Sequence, residues 1–494
     1  MSMEIKAIYT TTGMHFIPYR PSRLGMILNA RSVWVPGNHA RKPTTAYLMK
    51  DKSEVMKRLV TYKCHPKWLR EQIPDIEIEK MPPNRVEHME QEFALNDDVI
   101  PKQIQASAVA AVLDNNFKTA FFNIPTGVGK TLMAIYLTSI LGVKAWTMCY
   151  RTIVLQQWKV TMEKMTTFDT SRLKVVNSSK DLKKMADGTW DFDKYDMYVS
   201  TPMILTKFAT DYGLDLLNEV FNNCGIGVKF FDEAHKNVGN ICKINGLTNV
   251  ERTYYLSADF SQAAPSAAKL YYKMFASIPI IRPKKDLTQD LKYTVGVVVR
   301  YNTRPSFSER ESCFQKFGFS AFQYMEYQLR QGEFYDALEN VLDDIRRSTN
   351  WRQYKILLLC NLIEHTDILY DWVQNYYKMR CPEDHPHVVR FHSEVPADEK
   401  RDALENGEVI VSTYQSMGVG VDVKLIRHVL ALAPVNPIED NQAAGRAREL
   451  PDHEDCFYYI FQDDGFRYTQ QKLPDRIAYL MQQKIKHFVS IKYS

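Results

Sequence analysis

Beyond residue 100, short apolar runs alternate with helix-length amphipathic stretches along the whole chain. The first series of apolar runs occupies residues 120–124, 146–149, 197–200, 228–231 and 254–256, and the second occupies 356–360, 388–391, 409–412, 429–432 and 457–461. Strand-length apolar runs separated by helices are typical of parallel sheets that are covered by helices on both faces. The sequence therefore predicts an α/β fold with two such domains in tandem.

The 494 residues are too many for one hydrophobic core, and the pattern divides them into four segments. Residues 1–98 are predicted to form a small basic accessory domain that binds nucleic acid and ends in an acidic linker. Residues 99–280 are the first α/β domain, and 281–350 are a connector that ends in a helix leading into the next domain. Residues 351–494 are the second α/β domain.

Charge is distributed unevenly along the chain. Residues 1–70 contain thirteen Lys and Arg against three acidic residues, a net charge of +10 in a chain whose total is +5. Such a module favours a polyanionic partner, because neutralising phosphates releases counterions. A basic surface that is only solvated is the alternative. The aromatic residues of this segment either stack on unpaired bases or, as we favour, form a small core.

The composition indicates a cytoplasmic protein. No apolar stretch approaches the roughly 20 residues needed to cross a bilayer, and residues 1–16 lack the pattern of a secretory signal. The eight cysteines are scattered without a CxxC pair, which fits reduced thiols.

A glycine-rich loop follows the apolar run 120–124 and precedes a helical stretch. Its glycines let backbone N–H groups face phosphate oxygens at a helix N-terminus, where Lys130 reaches the β and γ phosphates and Thr131 holds Mg²⁺. The loop departs from the general pattern at Ile124, where Gly or Ala is usual. The predicted phosphate-binding residues are Thr126, Gly127, Val128, Gly129, Lys130 and Thr131.

An acidic pair ends the apolar run 228–231. Asp232, at the carboxyl end of a parallel strand, is suited to organise Mg²⁺, and Glu233 can polarise the attacking water. A pair that merely caps a helix is the alternative, which the preceding phosphate loop disfavours. We therefore predict an ATP and Mg²⁺ site in which Lys130, Asp232 and Glu233 are catalytic.

With these motifs in this order, residues 100–465 resemble the DEAH-type helicases of superfamily two. The resemblance implies two tandem RecA-like P-loop NTPase domains with ATP between them, beside the basic N-terminal domain. It also implies that Gln105 reads adenine. Three residues at strand ends, Arg151, Thr152 and Thr201, would grip the nucleic-acid backbone.

The same resemblance assigns residues that couple hydrolysis to movement of the nucleic acid. These are His235, Ser257, Asp259 and Gln442, and Asp259 stands where the family has threonine.

In the second domain the resemblance implies nucleic-acid contacts at Thr413 and Tyr414 and an approach of Gly420 and Asp422 to ATP. Arg446 and Arg448 would be the arginine fingers, which stabilise charge on the γ-phosphate only when the two domains close. The commonest family form has its last arginine at the position of Glu449, whereas some duplex-specific relatives use the shorter Gly-Arg-x-Arg spacing found here.

A narrower resemblance is to phage UvsW-type helicases, which remodel branched DNA. It rests on residues 407–448, on the overall length and on the small N-terminal domain. The chain is thus predicted to be an ATP-dependent DNA helicase or translocase. It is expected to act as a monomer and to have no membrane partner. It would unwind or branch-migrate forked DNA in replication, recombination or repair.

Three other functions compete with this one. An RNA helicase shares every motif, since residues that grip phosphates do not report a 2′-hydroxyl. A translocase that moves along duplex DNA without separating it is favoured by Asp259 and by the Gly-Arg-x-Arg spacing. A nucleic-acid scaffold with a degenerate ATP site is disfavoured by the intact Lys130, Asp232 and Arg446.

Overall fold

The chain forms two compact units, Met1–Lys284 and Lys285–Ser494, in the computed structural model. The structure describes residues 5–18, 24, 33–35, 44–46, 49–50, 58–63, 65–125, 128–257, 275, 278–283, 292–316, 318–418 and 423–493. Within these ranges, no helix combines the length and the apolar character that crossing a membrane requires.

The first unit begins with a small β-domain, whose five-stranded sheet we call the N-terminal sheet. Its elements are β1 (Lys6–Tyr9), β2 (Gly13–Ile17), β3 (Val33–Val35), β4 (Thr44–Ala46), β5 (Met49–Lys50), β6 (Leu59–Tyr62), α1 (Pro66–Gln72) and β7 (Glu77–Lys80). The sheet has the order β5-β6-β2-β1-β7, and β3 pairs with β4 separately. Ala7, Met14, Phe16, Leu59 and Leu69 lie in its core. Buried Phe16 fits the core role that we favoured for aromatic residues of this segment.

A seven-stranded sheet forms the rest of the first unit. Its elements are α2 (Gln103–Asp114), β8 (Thr119–Asn123), α3 (Lys130–Leu141), β9 (Ala145–Met148), α4 (Thr152–Met165), β10 (Leu173–Val176), α5 (Ser179–Ala186), β11 (Met197–Ser200), α6 (Pro202–Tyr212), α7 (Leu214–Asn223), β12 (Val228–Phe231), α8 (Val238–Leu247), β13 (Arg252–Ser257) and β14 (Ile280–Ile281). The order is β10-β11-β9-β12-β13-β8-β14, and every neighbouring pair is parallel. All the strands therefore end at the same edge.

The N-terminal sheet packs directly on helix α8 of this unit. A Cβ added to Gly13 would lie 2.6 Å from the Cα atom of Gly246, so the two backbones are in contact. Beside them, Thr12 Oγ1 donates to the carbonyl of Asn245 at 3.0 Å, and His15 Nε2 lies 2.5 Å from the carbonyl oxygen of Gly246. The N-terminal sheet is thus a built-in part of the first unit.

The second unit is another seven-stranded parallel sheet with helices. Its elements are β15 (Thr294–Tyr301), α9 (Phe307–Ser312), β16 (Phe314–Gln315), β17 (Gly318–Phe319), α10 (Ala321–Gln328), α11 (Gly332–Arg347), β18 (Lys355–Cys360), α12 (Ile363–Arg380), β19 (Val388–Phe391), α13 (Ala397–Glu405), β20 (Val409–Thr413), α14 (Tyr414–Gly418), β21 (Ile426–Ala431), α15 (Pro437–Ala444), β22 (Cys456–Asp463), α16 (Arg467–Gln483) and β23 (Ile485–Lys492). The order is β19-β20-β18-β21-β22-β15-β23. The two parallel sheets confirm the predicted fold class.

Strand β15 differs from what the sequence suggested. Residues 281–350 were predicted to be a connector, yet Thr294–Tyr301 forms a strand between β22 and β23 and is parallel to both. The run is rich in valine, and seven of its eight residues are buried, all but Arg300. A buried strand of this kind reads as a continuous apolar run, which periodicity alone does not distinguish from an extended linker.

Candidate nucleotide and nucleic-acid sites

The loop between β8 and α3 is held by the side chain of Gln105. Its Nε2 donates to the carbonyls of Val128 at 2.7 Å and Gly129 at 3.1 Å, and its Oε1 accepts from the backbone of Lys102 at 2.7 Å. Gly129 precedes the helix with a φ of +83°, a conformation that favours glycine. The amide of Gln105 thus positions the phosphate loop, and its predicted contact with adenine stays a prediction.

Lys130 and Thr131 occupy the first two positions of α3. At this end of the helix, backbone N–H groups lack partners within the helix and favour an anion. Lys130 is buried, and its Nζ lies 3.5 Å from Glu233 Oε1. The fold therefore brings the two sequence motifs together at one edge of the sheet. Thr126 and Gly127 lie outside the described residues.

The acidic pair follows β12 in the position expected for it. Asp232 Oδ2 accepts a hydrogen bond from the indole of Trp158 at 3.3 Å, and its Oδ1 accepts from the backbone of Glu233 at 2.9 Å. Glu233 has a φ of +48°, an uncommon conformation for a residue with a side chain, and such conformations cluster at functional sites. This turn directs the carboxylate of Glu233 toward Lys130.

Burial and neighbouring charges set the protonation of the two carboxyl groups. Burial, with a further contribution from Glu233, raises the pKa of Asp232 to about 6, although Lys130 opposes the shift. Burial also acts to raise the pKa of Glu233, but the positive charges of Lys130 and His235 outweigh it and lower the pKa overall. Glu233 is therefore an ionised carboxylate at neutral pH, as a proton acceptor must be.

A chain of polar contacts continues from Glu233 to the end of β13. Glu233 Oε2 lies 3.2 Å from His235 Nδ1, and the same nitrogen lies 2.7 Å from the hydroxyl of Ser257. The carbonyl of Ser257 in turn accepts from the backbone of Ile124, at the start of the phosphate loop. His235 and Ser257, the predicted coupling residues, thus connect the acidic pair to the phosphate loop. Asp259 lies outside the described residues.

The oxygen donors at this edge suit Mg²⁺. The carboxylate of Asp232 and the hydroxyl of Thr131 are the hard ligands that this ion prefers, and it commonly keeps several waters and takes phosphate oxygens as further ligands. These residues fit the predicted metal site.

The predicted backbone grips of the first unit lie on other loops of the same edge. Thr152 begins α4 and is exposed, and Arg151 precedes it with its guanidinium carbon 5.7 Å from the centre of the Tyr150 ring. Thr201 follows β11 and precedes α6, and it is half-buried. Because β9 and β11 are parallel to β12, these loops share an edge with the phosphate loop, and the side chains are accessible to a phosphate backbone.

In the second unit, Thr413 and Tyr414 stand at the end of β20. Thr413 Oγ1 accepts from the backbone of Ser416 at 3.0 Å and donates to its hydroxyl at 2.8 Å. Tyr414 is buried, and its hydroxyl donates to the carbonyl of Ala433 at 2.9 Å. A nucleic-acid contact through the Tyr414 side chain would require the ring to leave the core, so only its backbone lies at the edge.

Helix α15 carries the segment that leads to the predicted arginine fingers. Gln442 is buried on the helix, while Arg446 is half-buried and Arg448 is exposed just beyond it. The helix is anchored by Asp440, whose carboxylate pairs with Arg476 at 2.5 Å and accepts from the hydroxyl of Tyr458. Gly420 and Asp422 lie outside the described residues.

Sequence reasoning missed three side chains that hold these sites in place. Trp158 donates to Asp232 from the interior of α4, Asp440 anchors α15, and Lys229 is fully buried on the strand that ends at Asp232. The last two are charged residues in amphipathic or apolar stretches. No local spacing marks any of the three, because each acts on a partner that is distant in sequence.

Two comparisons with known proteins bear on these sites. Residues 98–259, less than half of the chain, match the family described as the res subunit of type III restriction enzymes. No curated protein matches the sequence. The matched segment contains the phosphate loop and the acidic pair.

Solved structures of other proteins share the fold of both domains. The Saccharomyces cerevisiae protein Dbp5 bound to RNA and ADP BeF3 superposes with a TM-score of 0.53 at 15% identity, over 79% of this chain and 90% of that one. The Mycobacterium smegmatis helicase Lhr bound to ssDNA and AMP-PNP superposes with a TM-score of 0.52 at 14% identity, over 79% of this chain and 49% of that one. At these identities the likeness establishes the fold alone, which is two tandem RecA-like domains.

Proposed function

We propose that the chain is an ATP-driven motor on nucleic acid, and that its preferred substrate is branched or forked DNA. The observation that carries the proposal is the contact chain from Lys130 through Glu233 and His235 to Ser257. It joins a phosphate-binding lysine, a carboxylate base and the end of the next strand. A site that only bound nucleotide would not need the base or its link to β13.

Each residue has a distinct role in the proposed hydrolysis. Lys130 and the backbone of the phosphate loop hold the β and γ phosphates, and Gln105 fixes the loop that does so. Glu233 accepts a proton from the attacking water as the water oxygen bonds to the γ-phosphorus and ADP leaves with the bonding electrons. Thr131 and Asp232 would hold Mg²⁺, which when bound would neutralise charge on the phosphates. The chain from Glu233 to Ser257 transmits the change of charge to β13.

The second unit completes the proposed cycle. Arg446 and Arg448 follow α15 at the surface of that unit, where they can stabilise charge on the γ-phosphate once the domains close. Gln442 couples this closure to movement of the nucleic acid, and alternating grips on the phosphate backbone then advance the motor by steps.

DNA is favoured by the basic N-terminal segment and by the narrower resemblance of residues 407–448. The grips contact phosphates, so binding should be weakly sequence-selective and sensitive to salt. The DEAH subtype, the UvsW-like activity on branches and an origin in a phage belong to the same proposal. An RNA helicase and a translocase on duplex DNA are the alternatives.

The test is the ATP hydrolysis rate of the purified chain alone and with single-stranded DNA, duplex DNA, a four-way DNA junction and structured RNA. We expect branched DNA to stimulate turnover most. Glu233→Gln should lower the stimulated rate by about 10²- to 10⁴-fold, because it removes the proton acceptor. Glu219→Gln, an exposed carboxylate on α7 of the same unit, is the matched control and should retain the rate.

Other outcomes discriminate among the alternatives. If RNA stimulated ATP hydrolysis more strongly than any of the DNA substrates, the chain would instead be an RNA helicase. Stimulation by duplex DNA without strand separation would indicate a translocase. Absence of turnover with every nucleic acid would leave a scaffold with a degenerate site.

A further inference from the structure

Residues 302–331, which we call the edge segment, cover part of the carboxyl edge of the second sheet. The segment comprises α9, β16, β17 and α10 and follows the end of β15. Thr303 Oγ1 donates to Asp463 at the end of β22, at 2.5 Å. Asn361, just beyond β18, donates to the carbonyl of Ala321 at 3.2 Å. The edge segment is thus fastened to strand ends on the same edge of the sheet where Thr413 ends β20.

An inner layer of aromatic rings supports the segment. Tyr324, Tyr327 and Phe466 are buried, and the Phe466 ring lies 4.8 Å from Tyr324 and 5.2 Å from Tyr327, both in edge-to-face geometry. The hydroxyl of Tyr327 donates to Thr303 Oγ1 at 2.8 Å, so the layer is tied to the anchor of the segment. Rings packed in this way have few alternative rotamers and make a rigid support.

An outer layer of rings lies on this support and faces solvent. Phe314 is 43% exposed and Tyr468 is 37% exposed, and their ring centres are 5.8 Å apart. Half-buried Phe319 joins the two layers, because it stacks on Tyr468 at 4.4 Å and contacts Tyr324 at 5.4 Å. Exposed aromatic rings that lie together on a protein surface often belong to a binding site.

The exposed charged residues of the edge segment and of the start of α16 are mostly positive. Exposed basic residues of the edge segment and of the start of α16 are Arg304, Arg310, Lys316, Arg330 and Arg467. The exposed acidic residues of the same stretches are Glu311 and Glu326. The remaining acid of the edge segment, Glu309, accepts from the backbone and hydroxyl of Ser306 in the cap of α9. Exposed rings on a segment with a net positive charge favour a partner that has both a phosphate backbone and unpaired bases. They favour an apolar protein partner less.

We propose that Phe314 and Tyr468 form a stacking surface for unpaired bases of the nucleic acid. The inference rests on the proposed function, because it places a base contact on the edge where the second unit would grip the backbone. Bases in an intact duplex stack on one another and do not offer their faces to a protein ring. The surface therefore favours a separated strand over a duplex, and it would hold that strand at the branch point of a fork.

The experiment compares binding of a single-stranded DNA that carries the fluorescent base 2-aminopurine with binding of the same sequence as a duplex. The full chain is used, with Phe314→Leu and Tyr468→Leu combined, which removes both rings but keeps apolar side chains. We expect about tenfold weaker binding of the single strand, because stacking of bases on the two rings is lost, and about twofold or less change for the duplex. The wild type should change the fluorescence of the 2-aminopurine, and the double variant should not.

Two matched variants separate stacking from other effects. Tyr468→Phe keeps the ring and should bind the single strand as the wild type does. Met379→Ala removes an apolar side chain that is 76% exposed at the other end of α12, and should leave both affinities unchanged. If thermal unfolding shows that the double variant is misfolded, the single variant Phe314→Leu, at the more exposed of the two rings, repeats the comparison.

Equal losses for single strand and duplex, or no loss for either, would overturn the stacking surface. ATP hydrolysis by the same wild-type preparation keeps this result apart from the proposed function. If nucleic acid stimulates ATP hydrolysis by the wild type but the ring variants bind single-stranded DNA as the wild type does, only the stacking surface is overturned. A wild type without any turnover overturns the proposed function instead.

Discussion

The carboxyl edges of the two large sheets differ in chemistry although both sheets have seven parallel strands. The described edge of the first unit joins a lysine to two carboxyl groups, with Lys130, Asp232 and Glu233 within one contact network. The described edge of the second unit carries rings and hydroxyls, such as Phe314, Tyr468 and Thr413. The fold supplies the same kind of edge twice, and the residues at the strand ends decide its use.

This difference matches the two tasks of the proposed motor. Hydrolysis needs charges that are partly buried, because burial strengthens their mutual effect. Holding a strand needs contacts that tolerate any sequence, and rings and hydroxyls provide them. If the comparison is sound, substitutions at the first edge should affect turnover most, and those at the second edge should affect nucleic-acid binding and local stability.

Lys130→Ala should have the largest effect. Loss of the group that holds the β and γ phosphates should lower ATP turnover by at least about 10²- to 10³-fold, comparable to removal of a charge stabiliser in other enzymes. Nucleic-acid affinity without nucleotide should stay within about twofold of the wild type. Lys118→Ala, an exposed lysine that pairs with Glu251 ahead of β8, is the control for loss of a positive charge. Normal ATP turnover in Lys130→Ala would show that the loop before α3 does not bind the phosphates of ATP.

Gly13→Ala tests how firmly the N-terminal sheet is built into the first unit. The added Cβ would lie 2.6 Å from the Cα atom of Gly246 and 2.8 Å from the carbonyl oxygen of Asn245, so the backbones must separate. We expect a loss of about 1–3 kcal/mol in the free energy of unfolding, measured by denaturant titration. Gly332→Ala, where the Cβ would meet open space, should change it little. Equal effects of the two substitutions would mean that the N-terminal sheet can move off α8.

Lys229→Met tests the buried charge behind the first edge. Lys229 is fully buried on β12, its Nζ donates to the hydroxyl of Thr248 at 2.7 Å, and that of Thr12 lies 3.5 Å away. Burial lowers the pKa of Lys229 to about 7. The unfolded chain keeps the proton to about pH 10, so the unfolded state binds more protons between these values. The stability of the wild type should therefore rise with pH in this window, by up to about 1.4 kcal/mol per unit.

The measurement is denaturant unfolding of wild type and Lys229→Met from pH 6 to about pH 10. The free energy of unfolding of the variant should exceed that of the wild type most below pH 7. The difference between them should decrease as the pH rises. Lys118→Met, at an exposed lysine, should show no such trend. A constant difference across the range would mean that Lys229 titrates in the folded chain as it does in the unfolded one.

Thr413→Val should have the smallest effect of the four. It removes the oxygen that accepts from the backbone of Ser416 at the start of α14, a cap whose loss costs about 1 kcal/mol of unfolding free energy. Combining it with Ser416→Ala gives a double-mutant cycle, because the two hydroxyls are hydrogen-bonded. The double variant should lose less than the two single losses together. Strict additivity would show that the hydroxyl pair contributes nothing to the second edge.

Much of the fold was predictable from local pattern. The apolar runs at residues 120–124 and 228–231 became β8 and β12, and the glycine-rich loop and acidic pair lie at their carboxyl ends. These features follow from strand length, turn residues and the parallel arrangement. The approach of Lys130 to Glu233 follows too, since β8 and β12 end at the same edge with only β13 between them.

Other features could not be predicted, because their partners lie far away in the sequence. Residues 294–301 were predicted to belong to a connector, but they form a strand that pairs with β22 on one side and β23 on the other. Trp158 supports Asp232 from 74 residues earlier in the chain. The role of Gln105 as a brace for the phosphate loop depends on how α2 lies beside the loop.

The sequence by itself determined the α/β class, the order of the motifs and the residues able to carry phosphate and acid–base chemistry. It did so because strands, helices, caps and turns are set by neighbouring residues. Only the tertiary structure decided that the N-terminal sheet is part of the first unit, that Lys229 is buried behind the acidic pair, and that the rings of the edge segment meet Tyr468. Those contacts depend on which strands become neighbours, and that choice is made by the packing of the whole core rather than by any local stretch of sequence.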